Sequence, residues 1–464
     1  MKQIYLKRTS ILLLLLLAAN LSGIAQPGKA LIDEKNVRAE MGFLASDAMQ
    51  GRGSGTIFER VAAEYIGSQF MQFGLEPAGE TGADGKQTYV QTVDVPGREN
   101  LINLQIAGEP GTGLVYGRDW VSFGMTAKQL MGPLQKIDLG QAGNKGAIVF
   151  VKVDPSKKFM DLSPEFAKLR QAGVAAIIIT ETVEARDNWS EISGAKVGLV
   201  RRPGNLFMLR DKAAEAFTKL NDGTAITITG ETVAGPTTHT WNAMGKITGT
   251  DKSLAAEVIL LTSHLDHLGV REGNPGDDKI FNGADDDASG SVAVLELARV
   301  LGSGAKPKRT VYFVCFGSEE AGGFGATYFV NNMPFAKDKL VANLEFEMIG
   351  RPDDKVKAEE LWLTGYERSN LGPELAKRGA KLVQDPHPQE NFFQRSDNIQ
   401  LARAGIIAHT VSSFGLHTDY HRASDEIKTI DFMHMTRSIN SMVEPVRWLV
   451  NSDFKPVWNE GMKP

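Results

Sequence analysis

Cysteine is almost absent from this sequence, in which Cys315 is the only thiol among 464 residues. An internal disulfide is therefore impossible, and a small secreted domain stapled by disulfides is excluded. Cys315 lies within the apolar run TVYFVCFG, so we predict that its thiol is buried in a strand.

A surplus of positive charge is also missing. The chain has 51 Lys and Arg residues against 56 Asp and Glu residues, for a formal net charge of -5. No basic patch with interleaved aromatic residues is present, so a nucleic-acid or anionic-membrane partner is not expected. Hydrophobic residues make up 42% of the chain and charged residues 23%, which is typical of a globular protein. The length allows two or three domains with sizeable cores, and the oligomeric state stays open.

Long apolar runs are missing except near the N-terminus. The first eight residues contain two lysines and one arginine, and an apolar core follows at residues 11–19. This layout predicts a secretory signal peptide over residues 1–25, cleaved after Ala25. The core is shorter than the roughly 20 residues that span a bilayer, so no integral membrane segment is expected after cleavage. The sequence therefore predicts an exported protein, in the periplasm or outside the cell.

After the predicted signal, the character of the chain changes twice. Residues 26–99 are predicted to form a mainly helical N-terminal part, with helix over 36–75. Residues 100–235 contain short β-rich runs, which predict a smaller β-rich domain. Residues 236–464 alternate apolar strands with helices, which predicts a layered α/β domain with helices on both faces of a mixed, mainly parallel sheet. Its strand candidates are residues 258–262, 311–316, 340–346, 361–363 and 406–411.

Histidine and acidic residues cluster in this last part, several of them directly after a strand candidate. The clusters are HLDHLG, NGADDDASG, GSEEAGGFG, LEFEMIG and GLHTDYHRASDE. Taken singly, each has an ordinary explanation as a loop histidine, a solvated carboxylate pair or a charged surface loop. Ligands collect at the carboxyl ends of strands in layered α/β folds, so the five clusters are expected to converge there. Together they predict a metal site at one edge of the sheet.

The types of ligand narrow the choice of metal. Imidazole mixed with carboxylate and without thiolate favours zinc, with manganese and cobalt as alternatives. The carboxylates suffice for two ions that share a bridging carboxylate. One acidic residue must stay free of metal to act as general base on the activated water. The adjacent Glu319 and Glu320 could fill these two roles, with one carboxylate bound to a metal and the other acting on the water.

The motifs HLDHLG, GADDDASG, GSEEAGGFG, NLEFEMIG and YHRASDE together resemble the five metal-site motifs of the co-catalytic zinc aminopeptidases, of the aminopeptidase Y and bacterial leucyl aminopeptidase type. The resemblance covers residues 240–425 in the same order and spacing. It implies two zinc ions per chain and hydrolysis of N-terminal residues from peptides by metal-activated water.

The resemblance also assigns the metal ligands. His264 and Glu347 bind the first zinc, Glu320 and His421 bind the second, and Asp286 bridges the two. Glu347 departs from the family, where aspartate is more common at this position. Its extra methylene leads us to expect that the first ion sits differently or binds less tightly.

Further roles follow from the same resemblance. Glu319 is the general base, Asp266 orients the first histidine, and Tyr420 hydrogen-bonds the developing oxyanion. The flanking Asp285 and Asp287 are expected to support their loop or to face solvent. The other polar residues of these motifs are expected to lie around the ligands rather than to bind the ions; they are His267, His417 and Asp425.

Two segments outside the motifs carry weaker likenesses. Residues 100–235 resemble a protease-associated domain, which implies a lid over the site. The segment FFQRSDNIQLARAGIIA resembles the family segment that borders the substrate pocket. It implies that Phe392 or Phe393 lines an apolar pocket and that Asp397 faces the substrate's amine. Arg52, in QGRGSGT, is a candidate for a structural residue or one at the edge of the site.

Three alternatives stay open at this point. A glutaminyl cyclase would use the same scaffold with one zinc. A carboxypeptidase or another zinc amidohydrolase would use the same metal site but would need a cation to capture a carboxylate. A non-catalytic binding module would be expected to have lost a ligand or the base, and none is missing here.

Overall fold

Two helices separated by a glycine-rich turn open the described part of the chain. The computed structural model of the protein describes residues 31–107, 113–187, 189–194, 205–271, 274 and 276–464, and the signal peptide predicted at residues 1–25 lies outside them. The helix predicted over residues 36–75 is present as two helices, because the chain leaves the first after Leu44 and enters the second at Ile57. Gly51 in the turn has φ +64°, and a Cβ there would lie 2.2 Å from the carbonyl oxygen of Phe281. The close approach of another loop therefore interrupts the helix.

The helices and strands of the described residues are numbered in chain order. The helices are α1 Glu34–Leu44, α2 Ile57–Gln72, α3 Ser163–Gln171, α4 Val183–Asp187, α5 Trp189–Gly194, α6 Asp211–Lys219, α7 Gly290–Gly302, α8 Phe324–Asn331, α9 Leu371–Ala376, α10 Asn398–Arg403 and α11 Phe432–Asn451. The strands are β1 Glu76–Pro77, β2 Val90–Val95, β3 Arg98–Ile106, β4 Trp120–Ser122, β5 Gln129–Ile137, β6 Ile148–Val151, β7 Ala176–Thr180, β8 Leu206–Leu209, β9 Ala225–Ala234, β10 Thr238–Ile247, β11 Val258–His264, β12 Gly269–Val270, β13 Ile280–Phe281, β14 Thr310–Phe316, β15 Leu340–Phe346, β16 Leu361–Leu363, β17 Leu382–Gln384 and β18 Ala408–Ser412.

The main sheet has the strand order β1-β10-β14-β11-β15-β18-β16-β17, with β2 also paired to β10. Its central strands β14, β11, β15 and β18 run parallel, whereas β10 and β16 join them antiparallel. Alternate residues of the buried β11 face opposite sides: Ile259 packs with α7 and α11, and Leu260 packs with α8 and α10. The predicted layered α/β fold with a mixed sheet is confirmed.

A second sheet is built from the strands between Arg98 and Ala234, in the order β3-β9-β5-β6-β7-β8-β4. The chain enters and leaves this sheet side by side, because β3 and β9 pair antiparallel from Arg98↔Ala234 onward. The amide of Gly235 donates to the carbonyl of Gly97 at 2.8 Å just outside the pair. The second sheet is thus formed by one continuous segment of the chain that is inserted between β2 and β10 of the main sheet. Across the residues described in both parts, no helix is long and apolar enough to cross a membrane.

The parallel strands of the main sheet all end at one edge. His264 is the last residue of β11, Glu319 and Glu320 follow β14 by a short turn, and Glu347 directly follows β15. Parallel pairing aligns these ends, since His264 lies opposite Phe316 of the next strand. The sequence clusters therefore converge as the strand pattern predicts.

Candidate metal centre

Asp286 lies between two groups of histidines, and its two carboxylate oxygens face different ones. Oδ1 lies 3.1 Å from Nε2 of His264, whereas Oδ2 lies 3.2 Å from Nε2 of His421 and 3.8 Å from Nδ1 of His267. Burial raises the pKa of Asp286, but the imidazoles outweigh it and hold the pKa well below its usual range. Asp286 thus presents one oxygen to each of two adjacent spaces.

The first space is bounded by His264, Asp286 and Glu347, which each offer a ligand atom within 4.8 Å of the others. Nε2 of His264 is buried without a hydrogen-bond partner. Nδ1 of the same ring lies 3.2 Å from the carbonyl oxygen of Asp266 and 3.7 Å from its carboxylate. An imidazole held through one nitrogen with its other nitrogen bare is how a metal-binding histidine is positioned.

The second space is bounded by Asp286, Glu320 and two imidazoles. Oε1 of Glu320 lies 3.2 Å from Nε2 of His421 and 2.8 Å from Nδ1 of His267. Burial and the nearby Asp286 carboxylate raise the pKa of Glu320, but the two imidazoles outweigh both and hold the pKa at about 2. His267, which sequence reasoning assigned to the surroundings of the ligands, thus faces the second space. The signal for it was the second histidine of HLDHLG.

Both spaces fit a divalent cation. Polar atoms around them are buried without a hydrogen-bond partner, although buried polar groups in proteins are nearly always paired. These atoms are Nε2 of His264, Nδ1 and Nε2 of His267, and Oε1 of Glu320. Mixed imidazole and carboxylate donors suit zinc or a similar transition metal. A carboxylate shared between both spaces is the arrangement that holds paired ions about 3.5–4 Å apart.

The aspartates on either side of Asp286 are buried and bind backbone amides. Oδ1 of Asp287 accepts from the amides of Gly290 at 2.9 Å and Met348 at 3.1 Å, and its Oδ2 accepts from the amide of His264 at 3.2 Å. Asp287 therefore fastens the loops that carry His264 and Glu347 to the start of α7. Of the two expectations for this residue, loop support describes what is found, and exposure to solvent does not.

Asp285 has a similar task on the other side of the turn. Its Oδ1 accepts from the amide of Gly350 at 2.7 Å, and its Oδ2 lies 2.9 Å from Nε2 of His417. Asp425 completes this layer by accepting from the amides of Asp285 and Asp286 at 3.0 and 3.1 Å. The late loop is thereby tied to the aspartate turn, so that His421 comes within reach of Asp286.

Among the described residues, none forms a hydrogen bond or ion pair with the carboxylate of Glu319, but the backbone of Glu319 is fixed by hydrogen bonds. Asp266 accepts from the amides of Glu319 at 3.0 Å and Glu320 at 3.3 Å, and Ser54 donates a 2.5 Å hydrogen bond to the same carboxylate. Burial raises the pKa of Glu319 well above its usual range, against the nearby His264 imidazole, and the neighbouring carboxylates raise it further. A nearby divalent cation would favour its charged form.

The N-terminal turn braces the same loops from behind. The guanidinium of Arg52 is 1% exposed and donates to four carbonyl oxygens, which belong to Leu44, Leu265, Asn282 and Gly283. The four hydrogen bonds connect Arg52 to the loop after β11, to the turn before the aspartates and to the end of α1. Arg52 is therefore a structural residue beneath the site rather than one at its edge.

Glu59 is a second buried brace, and no sequence motif pointed to it. Its Oε1 accepts from the amide of Ser318 at 2.8 Å and from the hydroxyl of Thr240 at 2.6 Å. Ser318 precedes Glu319 and has φ +55°, and Met348 after Glu347 has φ +50°. Such left-handed non-glycine residues cost of order 1–2 kcal/mol each, so the buried carboxylates that bind their amides stabilise a strained backbone at the site.

A pocket adjoins the first space through Glu347. Phe392 stacks on Trp362 at 5.2 Å between ring centroids, and Phe414 meets Phe392 edge-on at 5.7 Å. The lining residues are Glu347, Met348, Trp362, Thr364, Phe392, Arg395, Thr410, Ser412, Phe414 and Tyr420. Trp362 and Phe414 come from separate segments, and sequence reasoning missed both. The lining consists of four aromatic residues, one methionine, three Ser or Thr residues, one cation and one carboxylate.

Two residues predicted to contact substrate lie elsewhere. The ring of Phe393 packs in the core beside α10, at 5.7 Å from His409 and 6.3 Å from Trp458, so it does not line the pocket. Asp397 is 2% exposed and also lies outside the pocket lining, where burial raises its pKa to about 8. Its contact with the substrate's amine stays a prediction.

Tyr420 lies where both the pocket and the second space can be reached. Its ring stacks on His421 at 3.9 Å, and its hydroxyl accepts a 3.4 Å hydrogen bond from Arg395. Burial, together with nearby carboxylates such as Glu320, raises the pKa of Tyr420 well above its usual range. The phenol therefore keeps its proton and can donate it in a hydrogen bond.

Comparison with known sequences extends this description. Residues 242–444 match the sequence profile of peptidase family M28. This region of the chain belongs to peptidase family M28. All the residues around the two spaces lie within the M28 region, so the family predicted from the five motifs is confirmed.

Curated relatives match the chain over part of its length. The chain is 28% identical to leupeptin-inactivating enzyme 1 of Streptomyces exfoliatus over 200 residues, which are 40% of this chain and 43% of that protein. It is 38% identical to an aminopeptidase of Pseudomonas aeruginosa (strain UCBPP-PA14) over 117 residues, 25% of this chain and 19% of the other. The chain thus spans less than half the length of these curated relatives.

A solved structure shows the same fold. The protein is similar to BSAP, a zinc aminopeptidase from Bacillus subtilis, with a TM-score of 0.56 and 19% sequence identity, over 92% of this chain and 98% of that chain. The similarity includes residues well beyond the M28 region.

Proposed function

We propose that the protein is an exported, zinc-dependent aminopeptidase that removes N-terminal residues from peptides. The observation that carries the proposal is the placement of Asp286, with one oxygen toward His264 and the other toward His421. A second support is that relatives and a structural neighbour are named as aminopeptidases, one of them a zinc enzyme. Export is proposed from the signal-like residues 1–25 alone.

In this proposal His264 and Glu347 would hold the first ion, Glu320 and His421 would hold the second, and Asp286 would offer one oxygen to each. When bound, zinc polarises the scissile carbonyl and lowers the pKa of a coordinated water. Manganese and cobalt are alternatives with the same ligands.

Glu319 would accept the proton of the attacking water and return it to the leaving amine. Asp266 supports this role, because its bonds to the amides of Glu319 and Glu320 fix where both side chains start. Tyr420 would donate its phenolic proton in a hydrogen bond to the oxyanion as it develops.

The aromatic pocket would receive the first side chain of the substrate. Trp362, Phe392 and Phe414 favour an apolar or aromatic group by surface burial and ring contacts. Glu347 links the pocket to the first ion site. The second sheet, within the predicted insert 100–235, would act as an accessory domain that restricts or helps substrate access.

The test combines metal analysis with turnover of a panel of aminoacyl reporters. We expect transition metal in the purified protein and the fastest turnover for apolar residues. Glu319→Gln removes the base but no ligand, so it should lower kcat by about 100-fold or more while metal content stays unchanged. Full activity in this variant would overturn the assigned base, and wild-type protein without any transition metal would overturn the proposal.

A carboxypeptidase is the second candidate, favoured by Arg395 in the pocket lining. Its guanidinium lies 4.8 Å above the Phe392 ring and would suit a substrate carboxylate. Peptides blocked at either end separate the two activities, because only an aminopeptidase requires a free N-terminus. A glutaminyl substrate in the same panel tests for cyclase activity.

A further inference from the structure

His267 is the residue that the proposed two-ion site leaves without a task. It is completely buried, its Nε2 has no hydrogen-bond partner, and its Nδ1 faces the carboxylates of Glu320 and Asp286. The two carboxylates that face Nδ1 also face Nε2 of His421, so four groups that can bind a cation converge at one point. Two imidazoles and two carboxylates form a donor set that suits a transition-metal ion.

The position of the ring indicates what is missing. Nδ1 of His267 lies 2.8 Å from Oε1 of Glu320 and 3.8 Å from Oδ2 of Asp286. Nε2 of His421 lies 3.2 Å from each of these oxygens. In a tetrahedral zinc site with bonds of about 2.0–2.2 Å, neighbouring ligand atoms are separated by roughly 3.3–3.5 Å. The four measured separations scatter around this value.

We propose that His267 is a fourth protein ligand of the second ion, together with Asp286, Glu320 and His421. The inference rests on the proposed two-ion function. It assigns two imidazoles and two carboxylates to the second ion, against one imidazole and two carboxylates for the first.

The surrounding backbone is built to hold the ring there. The amide of His267 donates to the carbonyl of Arg52 at 3.2 Å, so its main chain is fixed independently of its side chain. Gly283, with φ +59°, packs against the ring, and a Cβ at this position would lie 2.4 Å from Cγ of His267. The glycine before the aspartate run thus makes room for the imidazole.

The consequence is that the two ions have different tasks. A zinc site with four protein ligands is closed, whereas one with three leaves a position for water or substrate. The second ion would then chiefly hold Asp286 and the late loop in place. The first ion, which adjoins the pocket through Glu347, would be the one that substrate approaches.

Cobalt titration of the metal-depleted full-length protein tests the proposal. Wild type should bind two Co²⁺ per chain. His267→Ala should bind the first as wild type does and the second at least about tenfold more weakly. His239→Ala, at a histidine whose side chain is 48% exposed, is the matched control and should behave as wild type.

His267→Cys gives an independent signature that does not depend on loss of binding. A thiolate ligand should add a cobalt charge-transfer absorption that wild type lacks, because its only cysteine is Cys315, buried in β14. Two tight ions in His267→Ala, or no such absorption in a cobalt-loaded His267→Cys, would overturn the inference. Wild type that binds no metal would instead overturn the proposed function itself.

Discussion

At the scale of single residues, the aspartate turn divides three adjacent carboxylates between two kinds of work. Asp286 faces the proposed ions, whereas Asp285 and Asp287 bind backbone amides of other loops. A run of like charges is tolerated in the interior because each carboxylate meets donors or imidazoles. The geometry of the metal site therefore depends on residues that bind no metal.

Asp287→Asn tests this dependence. The amide replaces one accepting oxygen by a donor, so it cannot accept from Gly290, Met348 and His264 together. We expect at least about tenfold weaker binding of the first ion, measured by competition with a chelator. Asp338→Asn is the control, at a side chain that is 74% exposed. Unchanged affinity in Asp287→Asn would show that the loops hold their positions without it.

His409 gives a pH dependence that lies apart from the metal site. It is fully buried between Ser369 and the carbonyl of Thr364, and burial lowers its pKa to about 4. In the unfolded chain its pKa is near 6.5. Between these values the unfolded state binds the extra proton, so stability falls as the pH drops from about 6.5 to 4, by up to about 3 kcal/mol.

Urea unfolding across this range measures the effect. His409→Gln should lose stability at neutral pH but should show a shallower decline toward pH 4 than wild type. His239→Gln, at an exposed histidine, should keep the wild-type slope. Equal slopes for wild type and His409→Gln would contradict the assignment.

How far the sequence predicts the site also differs from residue to residue. His264, Asp286, Glu320 and Glu347 follow strands or open a helix, and their spacing sets them on one edge of the sheet. The pocket aromatics Trp362 and Phe414 could not be predicted, because they come from segments without a shared motif. The likeness predicted that Phe392 or Phe393 lines the pocket, and packing decides between them, because Phe392 lies in the lining and Phe393 lies in the core.

At the scale of elements, the turn between α1 and α2 is the least predictable part of the fold. The sequence predicts helix over residues 36–75, but the turn within this segment is held by tertiary contacts to loops more than 200 residues away in sequence. Local patterns do not contain such contacts. The strands β11, β14 and β15 were predicted almost to the residue. A buried strand is visible in the sequence as a short continuous run of apolar residues, even though its packing partners are distant in sequence.

Arg52 provides the test at this scale. Arg52→Met leaves four buried carbonyl oxygens without their donor, so we expect a loss of unfolding free energy of at least about 3 kcal/mol. Arg52→Lys should recover only part of it, because an ammonium cannot match the spread of the guanidinium. Denaturant midpoints measure both. Arg437→Met, at a side chain that is 61% exposed, should be near neutral.

At the scale of the whole molecule, the second sheet is attached at one narrow junction. Val95 still pairs with Thr238 in the main sheet, and Arg98 already pairs with Ala234 in the second. The two cores are distinct clusters of buried residues. This layout supports the proposal that residues 100–235 form a separate domain.

Deletion of residues 98–234, which joins Gly97 to Gly235, tests that proposal. We expect the shortened chain to fold, to bind metal as wild type does, and to hydrolyse small aminoacyl reporters within a few-fold of wild type. Activity toward longer peptides should change, if the second sheet governs access. A shortened chain that unfolds or loses metal would show that the second sheet is part of the main fold.

The same junction has a consequence for folding kinetics. The main sheet cannot be completed until β2 meets β10, which are separated in sequence by the entire second sheet. Closing so long a loop in an open chain is entropically costly and slow. If the second sheet folds first, its pair β3–β9 brings Gly97 and Gly235 together and removes most of that cost. Folding of the second sheet would then precede completion of the main sheet.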